Sequence, residues 1–455
     1  MKIYFYGGAQ EVTGSNFLLE SKSKILIDCG LVQKEKVCSL ENFLPFPYHP
    51  SEIKAVLITH AHLDHIGRLP KLLKEGFRGY IYSTLPTKDL AYEILLDSQK
   101  LIEENCREFN KENLYQKEDV EKLMLRWQTV DYHQKLNLDD LEIEFYNAGH
   151  ILGSAFIKIT QISSDYTQNR GKLSIVFSGD LGNKGKSLNQ HLEDLPWVNY
   201  LVLESTYGNR NHQNLVNRKE ILEEILEKVI YERRILIIPT FALERAQEII
   251  FDIQQLIEKK KIPEIKIFLD SPLAFRISQI YEKYHEYLNQ ESAREILTQG
   301  IFNKEYLTIV QTKEDERKMF LASEPKIILA GSGMVTGGRI LKIFKNYLED
   351  KKTTILFVGY QAQGSLGRKI LEGEKEIFLD GQKINVKAEI STLFSYSAHI
   401  DQQGILEWLY PQRFNLKTIF LIHGDTSAKQ ELKTKIMDEL TLDVIIPEQN
   451  DFFEI

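Results

Sequence analysis

The chain of 455 residues predicts an α/β fold in which one domain is inserted into another. Up to about residue 205, short β-rich runs predominate, and several end in a histidine or an aspartate. From about Asn209, apolar strands alternate with amphipathic helices, a pattern typical of a parallel, doubly wound sheet. Ligand-type residues stand on both sides of this second segment, at Asp180 and His423. A site completed from both sides requires the chain to leave the first domain and return to it, so the second segment is predicted to be an insertion.

The strands of the first segment are short. Residues 55–59 form a largely apolar run, as expected for a buried strand, whereas 141–146 alternates between apolar and polar residues. A third β-rich run covers 173–178. One helical stretch is predicted from about Thr87 to Arg126.

The second segment has the regular alternation of a βα protein. Its predicted strands are 234–239, 266–270, 326–330 and 354–358. Its predicted helices are 221–231, 244–257, 339–348 and 366–371. We therefore predict the domain limits 1–208, 209–382 and 383–455.

The densest group of ligand-type side chains is His60-Ala61-His62-Leu63-Asp64-His65, directly after the first apolar run. In an extended loop alternate side chains share a face, so His60 and His62 can bind one metal ion. Asp64 and His65 fall on the next turn and can bind a second. Imidazole nitrogen with carboxylate oxygen suits zinc, with manganese as an alternative. The other interpretation, a polar loop that happens to be rich in histidine, does not explain four such residues at this spacing.

Further candidate ligands follow other predicted strands. They are His150 in Asn147-Ala148-Gly149-His150, Asp180 after the run 173–178, and His423 after Thr418–Ile422. A sheet collects such residues at one edge, so they can converge although they are far apart in sequence.

With these motifs the chain resembles the metallo-β-lactamase-fold hydrolases and, within them, the β-CASP nucleases. It looks most similar to compact prokaryotic relatives of the endonuclease that processes RNA 3′ ends in eukaryotes. The residues that match the family motifs are Asp28; His60, His62, Asp64 and His65; His150; Asp180; Glu204; His399; and His423. The resemblance implies an αββα metallo-β-lactamase sandwich with an inserted β-CASP domain.

The resemblance also implies two zinc ions per chain. We assign His60, His62 and His150 to the first ion and Asp64, His65 and His423 to the second, with Asp180 bridging both.

Three further residues receive roles from the resemblance. Asp28 is expected to orient a ligand histidine, although a cap on a strand-end turn is the alternative. His399 occupies the position that helps to protonate the leaving oxygen, and Glu204 the position that holds it. Without the resemblance, a surface histidine before a helix N-terminus would be the first interpretation of His399, and Glu204 could be a simple strand-end charge. Asp64, His399 and Glu204 are the predicted catalytic residues.

Two glycine-containing loops of the second segment are candidates for holding RNA phosphates. Ser332 and Gly333 lie in Gly331-Ser332-Gly333-Met334, a near miss to the dinucleotide-binding fingerprint. Ser365 and Arg368 lie in Gly364-Ser365-Leu366-Gly367-Arg368. Backbone amides at such a turn can bind phosphate. The role of Glu244 is left open.

The composition is that of an ordinary globular protein. The formal net charge of −8 argues, taken alone, against a nucleic-acid partner, but a local cationic cleft can exist on an acidic protein. No apolar run is long enough to span a bilayer, so no membrane partner is expected. Three cysteines without metal-like spacing indicate a reducing, cytoplasmic location.

The leading hypothesis is a zinc-dependent ribonuclease, an endonuclease and/or 5′-3′ exonuclease, that acts on single-stranded RNA in RNA processing or decay. A small-molecule metallo-hydrolase of thioesterase or lactamase type is the first alternative, and a non-catalytic RNA-binding scaffold the second. Preference for RNA over DNA, sequence specificity, and association as a homodimer or with RNA-processing partners are left open.

Overall fold

The computed structural model of the chain describes most of its length and divides into two compact units. The described residues are 1–33, 39–106, 113–162, 173–212, 217–300, 305–359, 361 and 364–455. Unit 1 comprises Met1–Lys184, Gln190–Asn211 and His399–Ile455, and unit 2 comprises Gly185–Asn189 and His212–Ala398.

Strands and helices are numbered separately along the chain. The strands are β1 (Lys2–Gly7), β2 (Asn16–Glu20), β3 (Lys24–Ile27), β4 (Ile53–Leu57), β5 (Tyr80–Ser83), β6 (Trp127–Thr129), β7 (Leu136–Leu138), β8 (Leu141–Asn147), β9 (Ala155–Gln161), β10 (Ser174–Phe177), β11 (Tyr200–Glu204), β12 (Ile235–Pro239), β13 (Lys266–Asp270), β14 (Leu307–Ile309), β15 (Lys326–Ala330), β16 (Thr353–Phe357), β17 (Glu376–Leu379), β18 (Gln382–Asn385), β19 (Glu389–Thr392), β20 (Thr418–Ile422), β21 (Asp443–Ile445) and β22 (Phe452–Glu454). The helices are α1 (Leu63–Ile66), α2 (Leu69–Lys74), α3 (Leu85–Cys106), α4 (Lys117–Met124), α5 (Arg218–Tyr231), α6 (Arg245–Glu258), α7 (Pro272–Lys283), α8 (Gln290–Gln299), α9 (Lys313–Leu321), α10 (Arg339–Tyr347), α11 (Leu366–Leu371), α12 (Gln402–Leu409) and α13 (Thr426–Leu440).

Unit 1 is a sandwich of two sheets. One sheet has the strand order β22-β1-β2-β3-β4-β5-β6, and the other β21-β20-β11-β10-β9-β8-β7. Alternation along β8 buries Leu141, Ile143 and Phe145, and these side chains share a core with Ile3 and Phe5 of the facing sheet. The predicted metallo-β-lactamase sandwich is therefore confirmed.

Helices cover the sheets of unit 1. On the second sheet, Leu409 of α12 and Leu432 of α13 pack with Leu421 of β20 in a separate apolar cluster. Beside the first sheet, α3 contacts α1, α4 and β6. The stretch predicted as one helix over 87–126 contains α3 and α4, and residues 107–112 between them lie outside the described part of the chain.

Parallel strands bring the ends of several elements of unit 1 together. In the first sheet β3 runs parallel to β4, and in the second β10 runs parallel to β11 and β11 to β20. Parallel neighbours end at the same edge of a sheet. The predicted site residues that follow these strands therefore emerge at shared edges.

Unit 2 contains a six-stranded sheet of order β14-β13-β15-β12-β16-β19, in which every pairing is parallel. Its central strands are buried along their whole length, as expected for a sheet covered on both faces. The predicted doubly wound parallel domain is confirmed. The sequence pattern missed α9, because its residues are mostly charged and only Met319 is buried, so no apolar period marks it.

The predicted domain limits differ from the boundaries between the units, and the largest difference is at the limit of 382. β19 pairs in parallel with β16, so the sheet of unit 2 continues beyond residue 382, and unit 2 ends at Ala398. Among the described residues, no helix is long and apolar enough to cross a membrane.

Candidate metal centre and active site

The histidine-rich motif lies in the loop between β4 and α1. His60 follows β4, and His62 is the extended residue that directly precedes the first turn of α1. Asp64 and His65 lie within that turn. The change from extended loop to helix turns the second pair of side chains away from the first, as the sequence spacing predicts.

Four ligand atoms converge around His62. Its Nδ1 lies 3.0 Å from His60 Nε2 and 3.1 Å from His150 Nε2. Asp180 Oδ2 lies 3.4 Å from His60 Nε2 and 3.5 Å from His150 Nε2. Ligand atoms at about 2.0–2.1 Å from a tetrahedral zinc ion are about 3.3 Å apart, so these spacings fit that geometry.

A second group forms around His423. Its Nε2 lies 3.4 Å from His65 Nε2 and 3.3 Å from Asp64 Oδ2. Asp180 Oδ1 lies 3.4 Å from His65 Nε2. The ligand atoms of Asp64, His65 and His423 all lie within 4.8 Å of one another.

Asp180 stands between the two groups and turns one oxygen toward each. The residue is 2% exposed, and its Oδ1 accepts no hydrogen bond from the described residues. Leaving a buried carboxylate oxygen without a partner is costly unless a cation neutralises it. The orphaned oxygen and the set of imidazole and carboxylate donors fit a divalent cation in each group.

Asp28 holds one of these histidines. Its Oδ2 lies 2.7 Å from His65 Nδ1 and accepts the Thr59 hydroxyl at 2.8 Å, while Oδ1 accepts the Thr59 backbone N–H at 2.9 Å. This contact directs His65 Nε2 toward Asp180. Asp28 has a φ of 57°, a left-handed conformation that costs a non-glycine residue energy and is often retained at functional sites.

Thr59 and Thr206 were missed as site residues by sequence reasoning. The Thr206 hydroxyl lies 3.2 Å from His423 Nδ1 and so favours Nε2 as the ligand atom of that histidine. The Thr59 hydroxyl lies 3.1 Å from His60 Nδ1 and so favours Nε2 as the ligand atom of His60. Thr59 directly precedes the motif residue His60, and Thr206 follows Glu204 by two residues; this closeness in sequence is the one signal that could have found them.

Burial keeps the first group of histidines neutral, as metal binding requires. It lowers the pKa of His62 to about 3 and the pKa of His150 well below its usual value. Burial also lowers the pKa of His65, but the Asp180 and Asp28 carboxylates outweigh it and raise that pKa well above its usual value. Negative charge is therefore concentrated around His65, where a cation would be stabilised.

Glu204 and His399 form a separate pair beside the metal ligands. His399 Nδ1 lies 3.2 Å from both carboxylate oxygens of Glu204. Glu204 is fully buried at the end of β11, and its Oε1 also accepts the Leu181 backbone N–H at 2.6 Å. Burial lowers the pKa of His399, but Glu204 and then Asp180 outweigh burial and raise it. The pair suits a histidine that carries a proton.

Three family models match consecutive parts of the chain. They describe a metallo-beta-lactamase superfamily domain over residues 18–167, a Beta-Casp domain over 246–370, and a Zn-dependent metallo-hydrolase RNA specificity domain over 383–447. Ribonuclease TTHA0252 of Thermus thermophilus is 36% identical over 427 residues, which cover 93% of this chain and 93% of that protein. The chain belongs to the β-CASP family of metallo-β-lactamase-fold nucleases.

Two further proteins are similar to this β-CASP nuclease, one in sequence and one in fold. Transcription termination factor FttA of Methanosarcina mazei is 33% identical, with 97% of this chain and 70% of that protein covered. A protein of unknown function from Enterococcus faecalis V583 shares the fold at a TM-score of 0.60 and 11% identity, over 99% of each chain. Family membership confirms the predicted enzyme class, a metal-dependent hydrolase of the nuclease type.

The candidate phosphate ligands of this nuclease belong to unit 2. The Ser332 hydroxyl accepts the Thr336 backbone N–H at 3.0 Å, and the Ser365 hydroxyl caps α11 by accepting the Arg368 backbone N–H at 3.2 Å. Arg368 Nε lies 2.7 Å from Glu372 of the same helix. At Gly333 a Cβ atom would come within 2.7 Å of the Phe241 ring, so the backbone there requires glycine. Phosphate binding by these residues stays a prediction.

Proposed function

We propose that this β-CASP nuclease is a ribonuclease that holds two zinc ions and hydrolyses phosphodiester bonds of single-stranded RNA. The observation that carries the proposal is the division of the two Asp180 oxygens between two groups of ligand atoms. The RNA substrate is supported by the match to an RNA specificity domain and by the name of the ribonuclease relative.

The residues of unit 1 have separate roles in this mechanism. His60, His62, His150 and Asp180 would hold the first ion, and Asp64, His65 and His423 would hold the second, with the other oxygen of Asp180 turned toward this second group. When bound, such a zinc pair would supply Lewis-acid polarisation of the scissile phosphodiester and a lowered pKa for the attacking water. Asp28 and Thr59 keep His65 turned toward the second ion, and Thr206 does the same for His423.

His399 supplies the proton of the leaving oxygen. With Nδ1 held by Glu204, the proton to be transferred is on Nε2, and Glu204 stabilises the charged ring before transfer. A hydrolase of small thioesters has no need of this pair, because a thiolate departs without being protonated. A non-catalytic scaffold has no need of the ligand groups.

The test uses one RNA of uniform sequence, labelled separately at its 5′ and 3′ ends. Incubation with zinc should cleave it, and a chelator should stop the reaction. Labelled fragments of intermediate length from both the 5′-labelled and the 3′-labelled RNA indicate an endonuclease, whereas labelled mononucleotides released from the 5′ label indicate a 5′-3′ exonuclease. A parallel assay with a chromogenic ester and a lactam tests the small-molecule alternative.

The metal content of the purified protein completes the test. We expect about two zinc ions per chain, by the ligand count of a two-metal site. The double variant His62→Ala, Asp64→Ala removes one ligand from each group and should abolish cleavage without unfolding the chain. Full activity of this variant would contradict the two-metal mechanism.

A further inference from the structure

The surface of unit 1 carries a basic pocket that takes no part in the metal centre. Its cavity of about 480 Å³ is lined by Lys74, Arg78, Lys122 and Arg126, together with Tyr80, whose side chain is half exposed. These residues come from α2, the start of β5, α4 and the turn before β6. Four cationic side chains therefore meet at one place on a protein whose net charge is −8.

The cations of this basic pocket are not neutralised by neighbouring carboxylates. Within the described residues, Asp119 is the single acidic residue of the lining, and its carboxylate accepts the Gln116 backbone N–H at 2.9 Å in the cap of α4. Glu75, which directly follows α2, pairs instead with Lys71 at 3.2 Å. On α4, Glu121 pairs with Lys117 at 3.4 Å.

Backbone contacts hold the two arginines in place. Arg126 Nη1 donates to the Arg78 carbonyl at 2.6 Å, and Arg78 Nη1 donates to the Phe77 carbonyl at 2.9 Å. Neither arginine forms an ion pair with any described residue, and the same is true of Lys74 and Lys122. Like charges held together without a counterion repel one another, so the pocket favours an anionic ligand.

The location of the basic pocket points to an extended ligand. Tyr80 is opposite Ala55 in the parallel pairing of β4 with β5, whereas the metal ligands begin at His60 beyond the other end of β4. The metal ligands therefore lie beyond the C-terminal end of β4, whereas the pocket lies at the N-terminal end of β5, so a ligand that contacts both must be extended. A strand long enough to reach from the metal centre to the pocket is a polymer.

We infer that the basic pocket is a second anchor for the RNA strand, in which the four cations bind phosphates and the Tyr80 ring stacks on a base. This inference rests on the proposed ribonuclease function. Cationic grooves with exposed aromatic rings are the usual means of binding single strands without sequence preference. The pocket increases affinity for long RNA and leaves the chemical step to the metal centre.

The test removes two of the four charges without disturbing the fold. Lys74→Gln with Lys122→Gln replaces two exposed lysines that form no ion pair, and Lys417→Gln with Lys433→Gln makes the same charge change elsewhere on unit 1. The probes are a single-stranded RNA of about 16 nucleotides, enough to span such a groove, and a dinucleotide. Binding of the long RNA is measured across a range of salt concentrations, and hydrolysis of both probes is measured at one concentration.

We expect the pocket variant to bind the long RNA more weakly and to lose about 1.4 from the log–log salt slope, at roughly 0.7 for each phosphate contact on a single strand. Its hydrolysis of the dinucleotide should equal that of the wild type and of the control variant. If the salt slope of the pocket variant equals that of the control variant, the inference about the pocket is wrong and the proposed ribonuclease function still stands. A wild-type protein that neither binds nor cleaves RNA overturns the proposed function, and the inference with it.

Discussion

At the scale of single residues, the site depends on how each carboxylate distributes its two oxygens. Asp180 turns Oδ2 toward His60 and Oδ1 toward His65, at 3.4 Å in each case. Asp28 uses Oδ1 for the Thr59 backbone and Oδ2 for the Thr59 hydroxyl and His65. Glu204 holds a backbone N–H of Leu181 and the His399 ring. An amide in any of these positions replaces one acceptor by a donor, so each carboxylate is sensitive to the smallest substitution.

His399→Ala should lower the rate of RNA cleavage by roughly 10²-fold or more, because the leaving oxygen loses its general acid. Zinc content should change little, since His399 is assigned no ion. A suitable control is His133→Ala, which breaks a His–Glu pair of similar length, 3.1 Å to Glu193, on the surface of unit 1. Loss of zinc in step with activity would instead make His399 a ligand, as its grouping with Asp180 and Glu204 allows.

Asp28→Asn should weaken zinc binding by about 10- to 100-fold, the usual effect of removing the partner that orients a ligand histidine. Asparagine has one oxygen and one NH2 donor in place of the two carboxylate oxygens, so it cannot keep both the contacts with Thr59 and the contact with His65 Nδ1. Zinc affinity is measured by competition with a chromogenic chelator. Asp140→Asn is the matched control, because Asp140 is also buried and hydrogen-bonded, to the Ser21 hydroxyl at 2.6 Å. Equal affinities in the two variants would show that Asp28 only supports the fold.

At the scale of elements, α5 and α6 are joined by a buried ionic cluster in unit 2. Arg218 of α5 pairs with Glu248 of α6 and lies 3.1 Å from Asp252. The Tyr396 hydroxyl donates to Asp252 at 2.7 Å. Glu248 also accepts the Leu188 backbone N–H at 2.9 Å. Breaking such a buried pair leaves an uncompensated charge, which costs about 3–5 kcal/mol.

Glu248→Gln should therefore destabilise the protein by about 3 kcal/mol at neutral pH. Burial raises the pKa of Glu248, but Arg218 and Lys186 outweigh burial and hold the pKa below its usual value. Because the pKa of Glu248 is lower in the folded than in the unfolded protein, its ionised carboxylate stabilises the fold. This stabilisation is fully present above the unfolded pKa of about 4.3, and it is lost as the pH falls through the folded pKa. The difference in unfolding free energy between wild type and variant should accordingly narrow below about pH 4.

Unfolding is followed by chemical denaturation at a series of pH values. Glu316→Gln is the control, because it breaks the exposed ion pair with Lys342 and should cost at most about 1 kcal/mol. A stability difference for Glu248→Gln that stays constant from neutral to acid pH would show that Glu248 is not ionised in the folded protein.

At the scale of the whole molecule, we expect RNA binding to draw on positive charge in both units despite the net charge of −8. Arg368→Ala tests the contribution of unit 2 to RNA binding. It should raise the apparent KM for RNA and reduce the salt slope by about 0.7, the value for one single-strand phosphate contact. Hydrolysis of a minimal activated phosphodiester should be nearly unchanged.

The ion pair between Arg368 and Glu372 supplies the control for this prediction. Glu372→Gln releases Arg368 from its helical partner, so RNA affinity should stay the same or rise. If both variants lower thermal stability alike and neither changes RNA binding, the pair serves only to stabilise α11.

Much of the fold and of the candidate site could be predicted because the signals are local. The strands β13 and β15 and the helix α11 have the limits expected from their apolar patterns. The ligand residues are recognisable because their types and spacing are fixed within a few residues of a strand end. The helix α9 was missed because charged residues alone do not distinguish a helix from a loop. The helix α7 was missed although Ala274, Ile277 and Tyr281 recur at helical spacing.

The sequence by itself determined the family, the fold class and the identities of the residues proposed to bind metal, because strand ends and motif spacing are encoded over short distances. Only the tertiary structure decided which oxygen of Asp180 faces which group, that Asp28 holds His65 through Nδ1, and that Thr206 contacts His423. The basic pocket also could not be predicted from the sequence. Its residues come from 74–80 and 119–126, and each short segment taken alone reads as an ordinary solvated surface. Their charges act together only because the packing of α2 on α4 brings them to one place, and electrostatic interaction depends on distance in space rather than along the chain.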